Sequence, residues 1–174
     1  MGTTTTGTPS SQTSTTSRNN GFSIRVASSA SLDDCAGGAE SQVTPSAIGR
    51  ITMRDFTEDF PMDLTYWSED DYRDSWSAAL HVLDEGSTAS TCLISSIADP
   101  TNSNFIFCWP LYRHGEDVYV QNSLIFLDEL TEEFLPEEPW RSVEPRTTVD
   151  EDGNKISEWQ TSMDEVRAFL SLPQ

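Results

Sequence analysis

Three strand-like runs follow one another so closely between residues 91 and 126 that the chain has little choice of topology. They are 91–98, 105–113 and 118–126, separated by the Asp99-Pro100-Thr101-Asn102 turn and by a second turn at Gly115. A parallel pair needs a crossover of about a dozen residues or more, usually a helix. These connections are far shorter, so an antiparallel meander is the economical reading. Pro110 lies inside the second run and cannot donate a ladder hydrogen bond, which predicts an edge position or a bulge there.

Around this meander the sequence places two helices. Ser68 is a good N-cap, Glu69, Asp70 and Asp71 fill the favourable first turn, and Asp71 approximates the acid of a capping box. Behind it Tyr72, Trp76, Ala79, Leu80 and Leu83 form one stripe, with Gly86 as the expected C′ glycine. Near the C-terminus Ser162 and Glu165 form a second capping box, and Met163, Val166, Phe169 and Leu170 make an apolar face. Residues 48–56 alternate as a strand, with Ile51 and Met53 on one face, followed by a loop through Pro61. Residues 127–135 read as one or two helical turns. Asp152-Gly153 is a hairpin signal between 146–149 and 155–159. The predicted class is α+β: a mostly antiparallel sheet of about five to six strands packed with two principal helices.

The head of the chain is different. Twelve of the first 20 residues are Ser or Thr, too few apolar groups to offset the entropy of ordering. Phe22, Ile24 and Val26 alternate briefly, which leaves open one short strand docking on the domain, before Ser, Ala and Gly return. Residues 1–46 are therefore expected to be a disordered extension, and 47–174 a single domain large enough for one core. With no basic-then-apolar leader and no long apolar run, the expected compartment is the cytoplasm.

Charge narrows function further. Ten Lys and Arg stand against 29 Asp and Glu, a formal net charge of -19. Such a field steers basic partners toward the protein. It argues against binding to a phosphate backbone, which demands clustered Lys and Arg. Cys35, Cys92 and Cys108 have no metal spacing. Cys92 and Cys108 sit in strand-like runs, where a thiol acts as a small hydrophobe; a bridge between them requires those strands to pair. His81, near the end of the first helix, and His114, in a turn, have no nucleophile beside them, and Asp150, Asp152, Gly153 and Asn154 miss the register of a calcium loop. No catalytic residue, cofactor or metal is expected.

Order and motif also carry a family resemblance. The stretches YWSEDDYRDSW at 66–76, TCLISSIADP at 91–100, FCWPLYRHGEDVYVQNSLIF at 107–126 and VEPRTTVDEDGNKISEW at 143–159 resemble the CdiI-type immunity proteins of bacterial contact-dependent growth inhibition, over about residues 50–170. The resemblance implies a cytoplasmic inhibitor, not an enzyme, whose partner is a cognate toxin, expected to be a basic ribonuclease. Acids flanking the motifs are the candidate partner-binding residues: Glu69, Asp70, Glu116, Asp117, Glu132, Glu133, Asp150 and Glu151. Trp140, between Pro139 and Arg141 in an extended acidic segment, is the aromatic candidate. Nucleic acid and membrane are not expected partners. Two other classes stay open: an acidic protein- or ligand-binding module unrelated to toxins, and a hydrolase built on a carboxylate pair.

Overall fold

The computed structural model describes residues 21–29 and 44–172. Among the described residues eight antiparallel strands form two sheets. The first sheet has three strands in the order β1 (Ser23–Ser29), β2 (Ser46–Met53) and β3 (Phe56–Asp63). The expectation of disorder across 1–46 is thus corrected for Ser23–Ser29, where Phe22 and Ile24 are buried and β1 pairs with β2. The rest of that extension, with Cys35, lies outside the described residues.

The loop expected after Phe56 is also corrected, since it is β3. A two-residue turn at Arg54-Asp55 links β2 to β3, and Arg54 occupies the left-handed region at φ 52°. Such turns are usually announced by Gly or Asn, and here neither is present. Pro61 is tolerated because β3 is an edge strand of its sheet.

The second sheet contains β4 (Ser90–Ser96), β5 (Phe105–His114), β6 (Asp117–Gln121) and β8 (Glu158–Ser162), with β7 (Ser123–Phe126) paired to β5. β5 is therefore not an edge. On one side it pairs with β4; on the other it meets β6 through residues 111–114 and β7 through residues 105–108. Pro110 falls at the break between β6 and β7, where only the β4 side is paired. The bulge expected near the proline lies in β4 instead, between Ile94 and Ser96.

Helix α1 (Glu69–Val82) starts with the full capping box of Ser68 and Asp71 and buries Tyr72, Trp76, Ala79 and Leu80. A 3-10 turn at Leu83–Glu85 follows, so Gly86, at φ -171°, is extended and not a left-handed C′ residue. The Tyr72 hydroxyl ties the layers together: it donates to the Asp63 carbonyl at 2.8 Å and accepts from the Ile97 N–H at 3.0 Å. The Trp76 indole donates to the Ile94 carbonyl at 2.6 Å. Between the two sheets Phe56 stacks on Trp159 at 4.1 Å. Helix α2 (Met163–Leu170) begins with the Ser162 and Glu165 capping box.

The connection from β7 to β8 is long and mostly irregular. Residues 127–135 form turns and not the helical turns expected. Leu127, Leu130, Phe134, Trp140 and Val143 nonetheless pack on the core. The Asp152-Gly153 turn forms, with Gly153 at φ 83°, but its arms share only the Val149–Lys155 bridge. Cys92 and Cys108 are buried free thiols on the paired strands β4 and β5.

Candidate functional site

Arginine is consumed by the fold. Seven arginines from Arg50 onward engage ten of the 26 carboxylates beyond residue 46, and the other sixteen make no ion pair among the described residues. The location of those sixteen decides which acids can meet a partner, because a carboxylate already bonded to an internal arginine offers a weaker field.

Several predicted site residues are already engaged within the fold. Glu69 accepts hydrogen bonds from the Ser29 hydroxyl and from Arg73 at 2.9 Å, while Asp70 takes the other arm of Arg73 at 2.8 Å. The Ser29 bond first, then Arg73, holds the Glu69 carboxyl below its ordinary range. Glu116 sits at the β5–β6 turn between Arg113 at 3.2 Å and Arg167 at 3.4 Å, and Asp117 accepts from Gln160 at 2.8 Å. Glu132 is paired with Arg141 at 3.3 Å. Asp150 closes its own turn by accepting from the Asn154 N–H at 2.7 Å, the bond that lowers its pKa most. Trp140 is half-buried and packs against the core.

Among the described residues, Glu133 and Glu151 make neither an ion pair nor a side-chain hydrogen bond. Glu151 opens onto a cleft of about 410 Å³ between the β5–β7 face and the connection at 142–156. Glu129 and Glu144 line the same cleft and also lack ion pairs. A smaller hollow of about 290 Å³, lined by Glu132 and Glu133, adjoins it through Leu130 and Ser142. The structure thus gathers Glu132, Glu133 and Glu151 along one face with Glu129 and Glu144, and leaves Glu69, Asp70, Glu116 and Asp117 in other networks.

The wall of this cleft is fastened by a polar clamp. Arg146 grips Glu158 at 2.6 and 2.7 Å and lies over the Tyr119 ring at 3.9 Å. Gln121 donates to both Glu158 and the Thr147 carbonyl, at 2.9 and 2.7 Å. The Arg146 guanidinium is the main reason the Glu158 carboxyl titrates below its usual range. Burial pushes the Tyr112 phenol, which also lines the cleft, up to about 12. It is neutral at physiological pH, so the negative charge there comes from the three glutamates.

Glu129 and Glu144 were not singled out from sequence as site residues. They come from points 15 residues apart and face Tyr112 and Gln121 only after the connection folds back on the sheet. No local pattern announces that.

What is assembled is a carboxylate-lined cleft. Among the described residues no group of three His, Cys, Asp or Glu is placed to hold a metal ion, and no helix is long and apolar enough to cross a membrane.

Comparison with known proteins places this α+β fold among bacterial immunity proteins. The family model described as the CdiI N-terminal domain matches residues 62–169. Immunity protein CdiI of Enterobacter cloacae subsp. cloacae is 43% identical over 129 residues, 73% of this chain and 84% of that protein. A chain in the solved CdiA-CT/CdiI toxin and immunity complex from Enterobacter cloacae superposes with a TM-score of 0.71 at 35% identity, covering 86% of this chain and 95% of that one. The chain belongs to the CdiI family of immunity proteins.

Proposed function

We propose that this protein neutralises a cognate toxin in the cytoplasm by binding it stoichiometrically and covering its active site with an acidic surface. The toxin is a basic nuclease, of ribonuclease type. The relative of known structure was solved in a toxin and immunity complex, which supports a protein partner. The observation that carries the charge argument is the cleft with its three unpaired glutamates, Glu129, Glu144 and Glu151. A ribonuclease presents Lys and Arg to phosphates, and a carboxylate array is complementary to that surface. Long-range attraction speeds encounter and weakens with salt. No turnover, cofactor or metal is required.

The test is co-expression with a candidate cognate toxin domain, scoring growth and RNA integrity, followed by purification of a 1:1 complex. Replacing Glu129, Glu144 and Glu151 together by Lys should slow association at least about tenfold at low salt and flatten its salt dependence. Rescue of growth with intact RNA supports the reading. Toxicity without rescue refutes the pairing, and unchanged association by the triple variant refutes the electrostatic role of the cleft.

A further inference from the structure

The face of β5 opposite the cleft carries Trp109 and Leu111 into the core, where Trp109 meets Phe56 at 6.3 Å and Trp159 at 5.7 Å. Further along the same face, toward the start of β5, the cover ends. Phe105 and Phe107 are 40% and 44% exposed, and Phe126, the β7 partner of Phe105, is 44% exposed. Phe105 and Phe107 meet edge to face at 5.3 Å. Three adjoining phenyl rings left open to water are a contiguous apolar patch, unlike the scattered single hydrophobes of any surface.

Beside Phe107 lies a hollow of about 230 Å³, lined also by Glu58, Phe60, Ser95, Ser96 and Trp109. Glu58 is the anomaly. Its register partner is the fully buried Ile51, and strand alternation sets it on the core face of β3 between Phe56 and Phe60. An apolar residue is expected there. Instead there is a half-buried carboxylate with no hydrogen bond or ion pair among the described residues, opening toward an aromatic ring. Its neighbour Asp59 differs, being held by Arg50 at 2.6 Å. A half-buried carboxylate is costly without a cation, and the described residues place none on it.

We propose that this patch is the apolar anchor of the toxin-binding surface. A Lys or Arg of the toxin would lie across Phe107 and place its charged head on Glu58, while apolar toxin side chains cover Phe105 and Phe126. The proposal rests on the immunity reading above and locates part of its contact. Charge complementarity commits the occupant to a basic protein. A second copy of this chain would bring another acidic patch against Glu58, and like charges there are repulsive. Continuity supports the same choice: Asn122 borders both this hollow and the glutamate cleft, and Phe126 borders the cleft as well. A partner straddling the β7 strand touches both sides, steered by the cleft and held by the rings. Arg or Lys over an aromatic face adds a cation–π attraction.

The experiment measures binding of the full chain to its cognate toxin domain by surface kinetics, alongside Phe107→Ala, Glu58→Lys and the cleft triple-lysine variant, with thermal melts to confirm folding. Phe107→Ala should raise the dissociation rate about 30-fold, the loss typical of an interface hot spot. Glu58→Lys should weaken binding at least as much, and a charge-reversed toxin Lys or Arg should restore it. The cleft variant should act mainly on association. If the wild-type chain binds and both Phe107→Ala and Glu58→Lys bind within threefold of it, the proposed anchor is wrong while the immunity reading stands. If the wild-type chain does not bind, the immunity reading falls and the anchor falls with it. Should Glu58→Lys melt early, Glu58→Gln with the Phe107 variant decides the matter.

Discussion

Adding one methyl group at Gly49 should be among the most damaging small changes in this protein. Gly49 lies opposite Phe60 in the β2–β3 ladder, and the ring folds over the glycine. A Cβ built at position 49 would stand 2.2 Å from one ring carbon and 2.4 Å from another, far inside van der Waals contact. The ring cannot simply step aside, because Phe60 is 6% exposed and meets Trp76 edge to face at 6.2 Å. Overpacking of this kind costs about 1–3 kcal/mol. Against it stands a gain of roughly 0.5–1 kcal/mol from replacing glycine within a strand. The net expectation for Gly49→Ala is a loss of about 1–2 kcal/mol, or a fall of roughly 3–8 °C in melting temperature. The assay is urea unfolding of four proteins: wild type, Gly49→Ala, Phe60→Ala and the double variant. With the ring removed, Gly49→Ala should become neutral or stabilising, giving a coupling of at least about 1 kcal/mol. Additive effects would refute the argument that ring and glycine are matched.

The clamp behind the cleft makes stability depend on acid. Because the folded Glu158 carboxyl titrates below its ordinary 4.5, its contribution is complete above that value and drains away as pH falls through the depressed folded value. The gap in urea midpoint between wild type and Glu158→Gln should therefore be wide at pH 7 and shrink below pH 4; a constant gap would contradict the assignment. Cys92 is held protonated by its contact with Cys108 and by burial. In a Cys35→Ser background, Ellman's reagent should thus react with Cys92 and Cys108 only as fast as the protein unfolds, and rapid labelling without denaturant would show the strands open locally. Ser68→Ala and Ser162→Ala each remove one side of a capping box and should cost about 1 kcal/mol apiece in chemical unfolding. No loss from either would mean that tertiary packing alone sets those helix starts.

Both helix starts were readable because a capping box is local: Ser68 with Asp71, and Ser162 with Glu165, declare themselves within four residues. The central meander was readable for a similar reason, its turns being too short for anything but antiparallel neighbours. β3 was hidden by Pro61 and by a turn that relies on Arg54 in place of glycine. β1 was hidden by its setting, a three-residue alternation inside Ser-rich sequence that becomes a strand only because β2 offers an edge. Even so, the parity of Phe56, Glu58, Phe60 and Met62 was a usable signal for β3, and it would have exposed Glu58 as the misfit in an apolar row. The cleft had no such signal. Tyr112, Gln121, Glu129, Glu144 and Glu151 are scattered along the chain, and tertiary folding alone assembles them. The charged pairs that stand out in sequence are often those already neutralised by an arginine, as Glu69 and Glu116 are.

The irregular connection between β7 and β8 has an evolutionary consequence. It lines the cleft with Glu129, Glu144 and Glu151, yet it owes its place to a few fixed points: the apolar side chains it sends into the core and the Arg146–Glu158–Gln121 clamp. Between those points its residues can drift, lengthen or change sign without disturbing a single rung of either sheet. A lineage can therefore rewrite this strip while inheriting the scaffold intact, and under the role proposed for the cleft that rewriting would exchange one partner for another.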